Sequence, residues 1–130
     1  MKNAYQKYKN NSVQTASREK ILLMLYEGAI KFTKQAVKAM EEKKIADKGH
    51  YIGRAYDIVM ELNNTLDHKV GGEISKNLEA LYIFIMDQYT KANFKNETKP
   101  LLENIKILEK LLEGWQAAVE KIKKESESQK

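Results

Sequence analysis

An all-α fold, arranged as an antiparallel up-down-up-down four-helix bundle with a mobile N-terminal arm, is what this sequence predicts. Three observations lead there. Four stretches carry apolar residues at the i, i+3, i+4 spacing of a core-facing helix. The breaks between them are short, which makes successive helices antiparallel neighbours. One Pro and six Gly in 130 residues, with abundant Leu, Ile, Lys and Glu, leave helix as the dominant element.

The chain divides into an arm, residues 1–16, a bundle domain, residues 17–125, and a disordered tail, residues 126–130. The arm is polar, with Tyr5, Tyr8 and Val13 as isolated apolar points and Asn10, Asn11 and Ser12 favouring turns. It holds Lys2, Lys7 and Lys9 and no acid, so it carries much of the net charge of +5, and the bundle is nearly balanced.

The first helix starts at Ser17, whose hydroxyl suits an N-cap, with Glu19 in the first turn, and runs to about Glu42. It has two apolar stripes. Ile21, Leu25, Ala29, Phe32, Ala36 and Met40 form one; Leu23, Tyr26, Ile30 and Val37 form the second, on another face. The first is core. For the second two readings stand: a widened core, or surplus apolar surface that marks a partner site. Under the second reading Ile30→Glu costs little stability and much binding. Gly28 either lets a neighbouring helix approach or is simply tolerated.

Asp47 caps the second helix, which runs to about Asp67 with Ile52, Ala55, Tyr56, Val59, Leu62 and Leu66 inward and Tyr51 and Ile58 flanking. Gly71 and Gly72 stop it. The third helix spans Glu73 to Ala92, with Ile74, Leu78, Leu81, Tyr82, Ile85 and Tyr89 inward and Asn93 as a left-handed terminus. Thr98 caps the fourth, with Pro100 in its first turn. Its core stripe runs from Leu101 through Leu108 and Trp115 to Ile122, flanked by Ile107, Leu111 and Ala118.

Chemistry is hard to find in these residues. There is no Cys, which removes disulfides, thiolate metal sites and cysteine nucleophiles. A carboxylate-bridged di-iron site needs Glu-x-x-His on two helices; neither His50 nor His68 has a Glu three residues before it. No catalytic site, metal or other cofactor is expected. The helices interleave acids with bases, so no basic face for nucleic acid forms, and no apolar run is long enough for membrane insertion. The start lacks an apolar signal segment, which leads to a cytoplasmic expectation.

The run Y-K-N-N-S-V-Q-T-A-S, followed by I-L-L-M-L-Y-E-G-A-I, resembles the signature of the FliS flagellar export chaperones. A-Y-D-I-V-M-E-L-N, N-L-E-A-L-Y, a following A-N and a late Trp match in order, so the resemblance covers essentially the whole chain. Arg18 departs from the Pro that many members have. The resemblance implies a non-enzymatic four-helix chaperone that binds the disordered C-terminal segment of flagellin, prevents premature polymerisation, and delivers it to the type III export apparatus at its FlhA component. It also implies that the arm can cover part of the client surface. The residues assigned to partner binding are Tyr5, Tyr8, Leu23, Tyr26, Ile30, Val37, Ile58, Ile107 and Leu111. A homodimer of the free chain is a further expectation. The competing function is a helical adaptor or self-associating bundle that binds a folded partner.

Overall fold

The computed structural model describes residues 17–128. Four helices follow in order: α1 (Arg18–Glu41), α2 (Ile45–Asn64), α3 (His68–Lys95) and α4 (Lys99–Ser128). Each packs on the next, and α4 closes the ring against α1. This is the expected antiparallel bundle. Residues 1–16, with Tyr5, Tyr8 and the arm as a whole, lie outside the described residues, as do residues 129–130.

Ser17 caps α1 as expected, its hydroxyl accepting from the Lys20 amide at 3.2 Å. The start of α2 is different. Lys43 turns the chain with φ 60°, α2 begins at Ile45, and Asp47 sits inside the first turn. There its carboxylate faces the positive end of the helix dipole without capping a particular amide. The double glycine does interrupt the chain. Gly72, at φ 51° and ψ −124°, breaks α3 just after its first turn, a conformation that favours glycine. Asp67 caps that isolated turn by accepting from the amides of Lys69 and Val70.

The left-handed terminus of α3 is Asn96 (φ 55°), one turn beyond the expected Asn93. Buried Lys48 explains the extension. Its ammonium donates to the Asn93 carbonyl at 3.3 Å and to Asn96 Oδ1 at 3.2 Å, placing a cation on the negative end of α3. At the other extreme α4 stays helical to Ser128, through residues expected to fray; interleaved Glu and Lys at i, i+4 favour helix without tertiary support.

Two inward assignments fail for one reason each. Ile74 follows the Gly72 break by two residues, before α3 has settled on the bundle, and is 68% exposed. Ile122 is 55% exposed because α4 outlasts its neighbours. Trp115 lies beside Tyr26, so antiparallel pairing puts Ile122 level with the very start of α1.

The core carries a polar thread. Tyr26 and Tyr82 join hydroxyls across the diagonal between α1 and α3, and the Trp115 indole N–H donates to the Tyr26 oxygen at 3.1 Å. One level away, Thr33 donates to the Ala29 carbonyl at 2.6 Å, so the Tyr89 hydroxyl, 2.7 Å from Thr33 Oγ1, must donate to it. Asn104 donates to the Ile85 carbonyl at 3.0 Å, tying α4 to α3. Buried hydroxyls need such partners, and the links between helices tie α1 to α3 and α4 and tie α4 to α3.

Burial holds all three tyrosines neutral. It pushes Tyr26 and Tyr82 upward, and Tyr89 up to about 12, although the Thr33 hydrogen bond opposes the rise. The unfolded chain ionises near pH 10. The stability these groups contribute is therefore complete below pH 10 and lost as pH rises through the folded values. Thermal melts should hold constant to about pH 10 and fall steeply toward pH 12, with a shallower fall for Tyr89→Phe. Melting temperatures that stay flat to pH 12 would contradict the burial of these hydroxyls.

Candidate functional site

With the core filled, the chemistry available to a partner lies in the outer grooves between helices and in exposed apolar side chains. Three grooves matter.

The first runs between α1 and α4, with a volume of about 690 Å3. Ile30 and Leu112 form its apolar floor. Glu27, Lys31 and Lys34 rim it from α1, Glu109 and Glu113 from α4. Lys34 and Glu109 reach across it at 3.6 Å, but both are exposed and the pair is worth little. Half-buried Leu23 and Val37 lie on the same flank of α1 as Ile30.

The second groove lies between α3 and α4. Ile107 and Leu111, both half-buried, flank the α4 core stripe on the side that meets α3. Leu81 and Phe84 occupy the facing side of α3 by helical spacing, and Phe84 is 46% exposed.

The third groove, between α2 and α3, has a volume of about 370 Å3. Ile52 and Tyr89 lie at its floor, and Gly49, Gly53, Tyr56, Thr90, Asn93 and Phe94 line it. A Cβ placed on Gly49 or Gly53 would meet no described atom within 4 Å. Each glycine costs its helix about 1 kcal/mol against Ala, and no described residue fills the space. Gly28 is the contrast: Ile58 Cδ1 sits 3.3 Å from where its Cβ would be, so that glycine does admit a neighbouring helix.

The residues assigned from sequence separate against this geometry. Tyr26 is a correction: it is 0% exposed and hydrogen-bonded on two sides, a core residue and not a groove residue. Ile30 is 8% exposed, so it is part of the buried floor and not a solvated stripe. Ile58 packs into the Gly28 gap between α1 and α2, in neither of the first two grooves. Leu23, Val37, Ile107 and Leu111 do lie beside grooves. Tyr5 and Tyr8 are outside the described residues.

The α2–α3 groove escaped the sequence reading. Its signal was G-H-Y-I-G, two glycines one helical turn apart, with Ile45 and Met60 in line on the same face.

No helix among the described residues is long and apolar enough to cross a membrane, and no three His, Asp or Glu side chains among them gather where a metal ion could sit. Fold and surface together define an all-helical bundle with partly apolar grooves between its helices. The family model of Flagellar protein FliS matches residues 1–122. The chain is 39% identical over 119 residues to the Flagellar secretion chaperone FliS of Vibrio cholerae, covering 88% of each chain. It is 32% identical over 125 residues to the protein of the same name from Bacillus subtilis, covering 96% of this chain and 92% of that one. A crystal structure of a bacterial flagellar chaperone superposes with a TM-score of 0.76 at 23% identity, over 92% of this chain and 97% of the other, and shows the same fold. The chain belongs to the FliS family. It is a flagellar secretion chaperone and not an enzyme.

Proposed function

We propose that this chain binds the disordered C-terminal segment of flagellin in the cytoplasm, holds it back from polymerising, and delivers it to the flagellar type III export apparatus at FlhA. Beyond family membership, the observation that carries this reading is apolar side chain left in solvent-facing grooves around an already filled core. Phe84 is 46% exposed on α3, and Leu102 is 48% exposed on α4. A disordered segment that folds as it binds can lay amphipathic pieces into such grooves and wrap a large surface. Leu23 and Val37 beside the α1–α4 groove, and Ile107 and Leu111 beside the α3–α4 groove, are the contacts assigned to it. Tyr5 and Tyr8 of the arm are assigned to cover the same surface or to meet the client. Without a client, that surface can pair with a second copy, which is the expected homodimer.

Light scattering during flagellin polymerisation tests the holding step. An equimolar amount of this chain should abolish filament growth, and an excess of the free flagellin C-terminal segment should restore it by occupying the chaperone. Unchanged growth of intact flagellin would refute the reading.

A further inference from the structure

The geometry points to the α2–α3 groove as a docking site for one amphipathic helix of a protein partner, with small residues where it crosses Gly49 and Gly53 and a basic side chain toward Asp57 and Asp87.

Four features carry this. Gly49 and Gly53 are one turn apart on α2 and open the groove without relieving any described contact. Gly114 has equally empty surroundings, but it stands alone; the α2 pair is flanked by exposed apolar side chains. Those side chains mark out a track. Ile45 is 76% and Met60 40% exposed on the glycine face of α2; Phe94 is 88% and Ile83 46% exposed on the facing side of α3. The track has a length that fits a helix. Ile45 to Met60 spans about four turns of α2, roughly 22 Å at 1.5 Å per residue. Glycines one turn apart let a second backbone approach closely, which selects Gly, Ala or Ser on the incoming helix.

The fourth feature is charge. Lys48 reaches Asn93 and Asn96, which sets the antiparallel register of α2 and α3. Counting along that register brings exposed Asp57 and Asp87 to one level, on opposite rims of the groove. His50 and Lys91 lie toward the Phe94 end, and Arg54 turns away over Phe32. Two facing carboxylates disfavour a second copy of the same surface and favour a cation between them. The groove is distinct from those assigned to the flagellin segment, so the inference stands apart from that reading.

The test uses the full chain and a synthetic 16-residue amphipathic peptide. The peptide has Ala at the two crossing positions, Leu on either side of them, and Lys at the level of Asp57 and Asp87. Gly49→Leu and Gly53→Leu fill the groove into open space, so both variants should melt no lower than wild type. Each should weaken peptide binding at least tenfold in fluorescence anisotropy. Replacing the peptide's two Ala by Leu should cost a similar factor, and Lys→Glu in the peptide several-fold. Wild-type chain that fails to bind the peptide, or variants that bind it equally, would overturn the proposal. A wild-type dimer that Gly53→Leu turns into a monomer would overturn it as well, by assigning the groove to a second copy.

Discussion

Tyr26→Ala is expected to lower the stability of the bundle by about 3–5 kcal/mol, the range for deleting a fully buried aromatic side chain. Tyr26 is 0% exposed and stands where α1, α3 and α4 meet. Truncation opens a cavity there and strands two polar groups at once, the Tyr82 hydroxyl and the Trp115 indole N–H. Tyr26→Phe separates the two effects. It keeps the ring and removes the hydroxyl, and should cost only about 1–3 kcal/mol for the orphaned partners. Urea unfolding followed by circular dichroism reads both values, and Trp115 fluorescence should shift in both variants. A loss below about 1 kcal/mol for Tyr26→Ala would return Tyr26 to the surface of α1.

Ile30→Glu should be almost as damaging. Ile30 is 8% exposed beneath a rim of Glu27, Glu109 and Glu113 with Lys31 and Lys34. A carboxylate there loses water and the groove loses its apolar floor, while Lys34 one turn on offsets part of the charge, which leaves a cost of about 2–5 kcal/mol. Phe94→Glu is the counterpart. Phe94 is 88% exposed, so its replacement should stay within about 0.5 kcal/mol of wild type. Melting both variants side by side decides whether exposure has been assigned correctly. An Ile30→Glu protein that melts with wild type would restore the solvated stripe that the sequence suggested.

That misreading of α1 has a definite physical origin. The two stripes are the two edges of one wide buried face. Thr33 lies midway between them, wholly buried, and as a polar residue it contributed nothing to an apolar count. Ala29 and Ala36 of the first stripe lie next to it and are 0% exposed. So wide a face needs more than two ring neighbours to cover it. In fact α1 reaches three helices: α2 through Phe32 and Tyr51, α4 through Tyr26 and Trp115, and α3 across the diagonal through Thr33 and Tyr89.

Other features were legible because they are local. The Ser17 cap, the break at the double glycine and the core of α2 at Ile52, Ala55, Val59 and Leu62 follow from spacing and backbone preference within a few residues. The end of α3 was not legible. It depends on Lys48, some 45 residues earlier, reaching across to Asn93 and Asn96. The α2–α3 groove was hidden for a related reason. Whether a glycine pair admits a helix of the same chain or leaves open space depends on packing that no periodicity records.

If this bundle receives a disordered flagellin segment and orders it on its apolar grooves, binding and folding of the segment are one event. Titration calorimetry of the full chain with the flagellin C-terminal segment, repeated at several temperatures, tests it most directly. Coupled folding and burial of apolar surface should give tight binding with a large negative heat-capacity change, and Phe84→Glu should weaken it at least tenfold with little change in melting temperature. Absence of binding, or binding whose enthalpy does not vary with temperature, would contradict the account.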